Sequence, residues 1–173
     1  MGLTKPNLVM SFLRFTKHGM SQKLLHQLKY KNKPEVGVEL GTIYGHLLKR
    51  NGFASHWDMV VPVPLHPEKQ RRRGYNQSEQ FARGIAEVLE IPMVQGLIRT
   101  QFTETQTKKS RIERIMNVSE VFSANSEIEM EGKNILLVDD VMTTGATLTS
   151  CANVLLAVNA KLVDLAVIAA GRF

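Results

Sequence analysis

Apolar positions along this chain repeat with two periods, and the switches between them mark out its elements. In residues 21–33, SQKLLHQLKYKNK, Leu24, Leu25 and Leu28 fall on one side of a helical repeat, and Ser21 stands where an N-cap belongs. Pro34 opens a second helix, with Glu35 in its first turn and Val36, Leu40, Ile43, Tyr44, Leu47 and Leu48 at helical spacing. Gly37, Gly41 and Gly45 recur every fourth residue along it. In a long apolar helix that stripe would serve membrane dimers. Here Lys33, Glu39 and Lys49 predict instead close packing on another helix of the same fold. Met59 to Val63 is expected to be a buried strand, closed by Pro62 and Pro64. A polar loop, HPEKQRRRGYNQ, follows. Ser78 is expected to cap a helix that runs to about Glu90, with Phe81, Ala82, Ile85, Val88 and Leu89 inward.

Past Pro92 the period shortens again. Met93 to Ile98 is expected to be a strand, residues 100–117 polar and aperiodic, and Val118 to Phe122 a short strand. Asn125 to Lys133 is a turn-rich connector. Ile135 to Val138 is a buried strand, Gly145 to Val158 a helix with Leu148, Cys151, Ala152 and Leu155 inward, and Lys161 to Ala169 a last strand. Strands alternating with helices predict an α/β domain with a central, mainly parallel sheet flanked by helices. Residues 1–55 read as helical and preceding the first strand, a cap or hood belonging to the same domain. Residues 56–173 read as its core.

Composition narrows this only a little. The 22 basic and 16 acidic side chains leave +6, which suits anionic ligands or nucleic acid without selecting either. The single cysteine, Cys151, excludes an intrachain disulfide and a cysteine-based zinc site, and fits a reducing compartment. The five histidines lack metal-ligand spacing. MGLTKPNLVMSFLRFTKHGM has neither the apolar core nor the cleavage site of a signal peptide, and no stretch reaches the ~20 apolar residues of a membrane span. The expectation is a cytoplasmic protein.

The candidate chemistry lies in VDDVMTTGAT, Val138 to Thr147. After the apolar run, Asp139 and Asp140 come out at the carboxyl end of a strand, the edge where ligands bind in open α/β sheets. Thr143 to Thr147 then turn into a helix. Its first N–H groups, the freedom of Gly145 and the hydroxyls of Thr143, Thr144 and Thr147 make an anion site that needs no cationic side chain. Threonines alone could merely cap a helix, and acids alone could merely end a strand. The combination is specific, and it is neither a Walker loop nor a dinucleotide-binding glycine pattern. A second cluster, Lys69, Arg71, Arg72 and Arg73, follows the first core strand. A run of charge is ordinarily a solvated face. Its place ahead of a helix, at the same sheet edge, points instead to anion binding. Arg would meet a phosphate with a fork of donors and Lys as a point charge.

The first stretch resembles the phosphoribosyl pyrophosphate (PRPP) motif of type I phosphoribosyltransferases. PVPL followed by Arg71, Arg73, Gly74, Tyr75, Asn76 and Gln77 resembles, more narrowly, the ComF family of competence-associated phosphoribosyltransferase-like proteins. Arg99, Thr103 and Gln106, with Arg111, Arg114 and Asn117 beyond, resemble a further segment of that family. The resemblance implies a type I phosphoribosyltransferase-like fold with a helical N-terminal hood. It implies that Asp139, Asp140, Val141, Met142, Thr143, Thr144, Gly145, Ala146 and Thr147 bind the 5′-phosphate and ribose of PRPP. Lys69, Arg71, Arg73, Gly74 and Lys108 would bind its pyrophosphate, and Asp139, Asp140 and Arg111 would be catalytic.

Mg²⁺ is implied as cofactor, held through PRPP and water and not by the protein directly. Residues 100–114 would close over the ligand, bringing Lys108, Lys109 and Arg111 to the diphosphate. The acceptor would be a nitrogenous base, with Phe12, Phe15, Tyr30, Phe53 and Trp57 as stacking candidates whose default role is core packing. Many family members begin with a four-cysteine zinc ribbon. This sequence lacks those cysteines, so zinc is not carried over. Three functions are left open: a Mg²⁺-dependent transferase releasing pyrophosphate, a PRPP-binding regulatory or DNA-uptake accessory protein without turnover, and a single-stranded DNA binder. Partners to consider are DNA-uptake or recombination proteins, single-stranded DNA and a second copy of the chain, with no membrane span.

Overall fold

The structure, a computed structural model, describes residues 7–14, 19–30, 33–99 and 121–171, with backbone alone at 29 and 30. Strand β1 (Val9–Arg14) is followed by helices α1 (Met20–Tyr30) and α2 (Pro34–Leu48). Then come β2 (Met59–Pro62), α3 (Pro67–Arg73), α4 (Gln77–Leu89), β3 (Leu97–Arg99) and β4 (Phe122–Ala124). The chain goes on through β5 (Asn134–Met142), α5 (Ala146–Ala157) and β6 (Leu162–Ala170). Four strands, in the order β1-β6-β5-β2, make one parallel sheet. β3 and β4 pair antiparallel as a separate ribbon, and Met93 makes a single parallel bridge to Val60.

The apolar run at 135–138 explains why β5 lies inside the sheet. All four side chains are fully buried, and a strand covered on both faces has no polar alternate positions. Ile135 and Leu137 pack with Leu148, Cys151, Ala152 and Leu155 of α5 and with Leu97 and Phe122 of the ribbon. Leu136 and Val138 pack on the other face with Phe81, Ala82 and Ile85 of α4 and with Tyr44 and Leu48 of α2. Each such side chain contributes roughly 1.5–3 kcal/mol by leaving water.

The glycine stripe of α2 does what its spacing predicts. Gly37, Gly41 and Gly45 are buried on the face turned to α4. A Cβ on Gly41 would lie 2.1 Å from the carbonyl oxygen of Phe81, and one on Gly84 would lie 2.1 Å from that of Val38. The two helix backbones are therefore in contact. Of the apolar positions at helical spacing, Tyr44 and Leu48 are buried while Ile43 and Leu47 are exposed.

Several elements differ from expectation. Val9–Arg14 was not foreseen as a strand: the first 55 residues are not helical throughout but add an edge strand parallel to β6. HPEKQRR does not remain a loop. Pro67–Arg73 is helical, opened by Pro67, with the ring nitrogen of His66 accepting from the Glu68 N–H and Gly74 closing it in a left-handed conformation. The strand expected over 93–98 divides into the Met93 bridge and β3. β5 runs on to Met142, so Asp139 and Asp140 lie within the strand, in its carboxyl half.

At the opposite, amino edge of the sheet, fully buried Asp164 of β6 accepts a hydrogen bond from Leu8 N–H (2.9 Å). It accepts another from Trp57 Nε1 (2.9 Å), and His56 Nε2 lies 3.0 Å from its second oxygen. Phe53 stacks on Trp57, and Phe12 packs on Tyr44. Phe12, Phe53 and Trp57 thus serve the core. Trp57 precedes β2, placing it at the sheet end remote from the Asp139 edge. Phe15 and the Tyr30 side chain lie outside the described residues.

Candidate functional site

The carboxyl ends of β2 and β5 lie side by side, since Val63 N–H donates to the Val138 carbonyl at 2.8 Å. Each strand feeds a helix from that edge. β5 passes through Thr143 and Thr144 into α5, whose N-cap is Gly145 at φ +77°. Gly145, left-handed and without a side chain, makes no side-chain cap of its own to the first turn of α5. Thr144 Oγ1 accepts from the Ala146 N–H at 3.4 Å, and the helix ladder begins with Thr149 N–H to the Gly145 carbonyl at 2.9 Å. Thr143, Thr144, Ala146 and Thr147 are exposed. They line, with Asp139, Val141, Met142, Gly145 and Leu148, an open cavity with an empty volume of about 210 Å³. The dipole and the unpaired N–H groups of the 12-residue helix α5 make this a place for an anion.

Asp139 is half-buried. One of its oxygens accepts from Ser78 Oγ (2.8 Å) and from the N–H of Asp140 (2.8 Å). Asp140 follows it, half-buried and outside the residues that line the cavity. Met142 belongs to the same core cluster as Leu148, and its sulfur would lie 3.7 Å from a Cβ added at Gly145.

From the neighbouring carboxyl end of β2 the chain enters α3. α3 presents Lys69, Arg71 and Arg72 to solvent, while Arg73 is half-buried. Arg73 donates through Nη1 to Gln77 Oε1 at 2.9 Å. Tyr75 is buried, with its hydroxyl donating to the carbonyl of Leu28 in α1. Burial raises its pKa, as does Glu35 to a smaller degree, against the lowering effects of a Lys33 backbone hydrogen bond and the Arg73 charge. Tyr75→Phe removes that hydroxyl, so we expect a loss of about 1 kcal/mol in urea unfolding with no change in cooperativity.

Ser78 was expected to cap α4. The cap is Asn76, whose side chain accepts from Ser78 N–H (3.1 Å) and donates to the Val63 carbonyl (2.9 Å). The signal for this was present, since Asn76 stands three residues before Glu79 in the spacing of a capping box. The Ser78 hydroxyl is thereby released to Asp139. Lys108, Lys109, Arg111 and the rest of the 100–114 segment lie outside the described residues. At the foot of that segment, Arg99 lies over the Phe122 ring at 5.3 Å, and its Nε is buried without a partner among the described residues. Cys151 lies within the fields of both Asp139 and Arg99. Burial, reinforced by Asp139, pushes its pKa up, which keeps it a neutral thiol and removes it as a nucleophile.

Residues 75–172 match the family model described as the phosphoribosyl transferase domain. The fold is that of a phosphoribosyl transferase domain. Among curated proteins the chain is 32% identical over 138 residues to competence protein F of Haemophilus influenzae, covering 76% of this chain and 60% of that one. It is 33% identical over 142 residues to competence protein ComFC of Bacillus subtilis, covering 82% and 56%. It is 31% identical to the DNA utilization protein YhgH of Escherichia coli, covering 77% and 60%. The chain belongs to the phosphoribosyl transferase domain family, in its ComF group.

It spans a little over half the length of these relatives. Among solved structures it is similar to the glutamine PRPP amidotransferase of B. subtilis complexed with ADP and GMP. That match has a TM-score of 0.57 and 25% identity, over 82% of this chain and 30% of that one. The allosteric regulatory enzyme of purine biosynthesis matches with the same score at 23% identity, over 82% and 29%. The fold is that of type I phosphoribosyltransferases.

Proposed function

We propose that the chain binds PRPP and transfers its phosphoribosyl group to a nitrogenous base, releasing pyrophosphate. The observation that carries this is the cavity at the start of α5, where Gly145 offers no capping side chain and Asp139 lines the same space. The N–H groups from Thr143 to Thr147 would hold the 5′-phosphate. Asp139 and Asp140 would accept from the ribose hydroxyls. Lys69, Arg71 and Arg73, with the backbone at Gly74, would hold the diphosphate, joined by Lys108 and Arg111 of the 100–114 segment on closure. As the C1′–O bond breaks, positive charge grows on the sugar ring, and the negative field of the two acids favours that charge over the neutral ground state. The helical part of residues 1–55 would form the hood over the acceptor.

Among the described residues no cluster of three or more metal-ligating side chains occurs. Two hard carboxylates beside an anion cradle fit a Mg²⁺ that arrives on its ligand's oxygens and water better than one caged by protein. Bound there it would neutralise the leaving diphosphate.

The second reading, PRPP binding without turnover in DNA uptake, is favoured by the names of the relatives, which are competence and DNA-utilization proteins. Among the described residues no helix is long and apolar enough to cross a membrane. A cytoplasmic site of action is part of the proposal and rests on the single cysteine, which suits a reducing compartment. Calorimetry with PRPP and Mg²⁺ should show saturable 1:1 binding. Its absence would sink both readings, and pyrophosphate release over a panel of bases separates them. Single-stranded DNA binding that weakens steeply with salt, without PRPP binding, would favour a nucleic-acid binder instead.

A further inference from the structure

Three consecutive side chains at the start of α4 each hold a different wall of the site. Asn76 fixes the end of β2 through the Val63 carbonyl, Gln77 receives Arg73, and Ser78 donates to Asp139. All three are buried, Gln77 to 1% exposure. A buried amide is well chosen for packing only if both of its ends are paired. The Oε1 of Gln77 is taken by Arg73, but its Nε2 has no partner among the described residues. An apolar side chain of the same length would fill the space without leaving a buried donor unpaired. What an apolar chain cannot do is accept from the guanidinium of Arg73.

Resting on the PRPP reading above, we infer that Gln77 and Ser78 are positioning residues. The first turn of α4 aims Arg73 at the diphosphate and Asp139 at the ribose, so that one rigid helix end sets the distance between the two halves of the ligand. Gln77 holds the side chain of a half-buried arginine in one orientation, which matters because a guanidinium grips phosphate oxygens only when its plane is set. Ser78 holds Asp139 by one oxygen, which sets the orientation of its carboxylate. Neither residue touches the ligand in this scheme. Both act through the residue they hold.

The test is calorimetry with PRPP and with ribose 5-phosphate, in Mg²⁺ buffer, on Gln77→Met, Ser78→Ala, Arg73→Ala and the Gln77→Met/Arg73→Ala pair, with thermal melts of each. Gln77→Met should weaken PRPP about tenfold, the loss of one charge-assisted hydrogen bond. It should leave ribose 5-phosphate unchanged and the melting temperature unchanged or raised. On the Arg73→Ala background it should cost nothing further. Ser78→Ala should weaken both ligands by similar factors. Equal loss of both ligands in Gln77→Met with a lowered melting temperature would mark a merely structural residue and overturn the inference. So would unchanged PRPP affinity, or a full additional loss on the Arg73→Ala background. Failure of the native chain to bind PRPP at all is a different result, since it removes the underlying reading of the site.

Discussion

Gly84→Ala is expected to destabilise the protein by roughly 3 kcal/mol or more, at the upper end of overpacking effects. Ordinary helix propensity predicts the opposite sign, because Gly→Ala inside a helix is normally worth about 1 kcal/mol of stabilisation. The contact decides which wins. The added Cβ would lie 2.1 Å from the carbonyl oxygen of Val38 and 2.6 Å from the N–H nitrogen of Thr42. Both are backbone atoms of a helix interior, so no side-chain rotation relieves the clash. Relief requires α2 and α4 to separate, and that opens the core around Tyr44, Phe81 and Ile85, all nearly or fully buried. In a domain of this size the melting temperature should fall by roughly 6–12 °C. The same shift would displace the N-terminus of α4, which carries Asn76, Gln77 and Ser78, so PRPP affinity should fall as well. A neutral or stabilised Gly84→Ala in thermal and urea unfolding would show that the helices do not meet through backbone.

What could be read from the chain alone follows from how local each signal is. The four-residue spacing of Gly37, Gly41 and Gly45 needed only its own helix to announce a close partner. Nothing in the same stretch named Gly84 as the residue opposite. The run Ile135 to Val138 followed by two acids was legible because burial on both faces and the carboxyl-edge rule act within a few residues. β1 was not. Its pairing joins Val9 to Leu165 across most of the chain, and among the described residues it is an edge strand, so VMSFLR carries only a weak alternation. α3 has no apolar face for periodicity to find. Its evidence lay in its ends: Pro67 at the first position, Glu68 in the first turn, three arginines in the last and Gly74 beyond. Ser78 was misread for a different reason. Two good capping residues stand two positions apart; the acid three residues on, Glu79, favours Asn76, and the tertiary placement of Asp139 gives the Ser78 hydroxyl another partner.

The site carries an apparent contradiction, two carboxylates beside an anion cradle, and the variant that resolves it is Asp139→Asn/Asp140→Asn. An asparagine oxygen can still accept from Ser78 Oγ and from the N–H of residue 140, two of the interactions that hold Asp139 in place. The fold and the shape of the cavity should therefore survive, and the melting temperature should change little. What disappears is charge. If the acids serve the ribose hydroxyls, each loses a charge-assisted hydrogen bond of about 1.5–3 kcal/mol, and PRPP affinity should fall by roughly 100-fold or more. If instead they merely end a strand beside a phosphate loop, their removal lifts a repulsion, and every anion should bind better. Inorganic phosphate separates the cases, because it occupies the cradle of Thr143 to Thr147 without touching the sugar site. The double variant should bind phosphate as well as or better than the native chain while losing PRPP. Equal or tighter binding of both ligands would mean that the acids do not read a sugar, and the assignment of Asp139 and Asp140 would have to be abandoned.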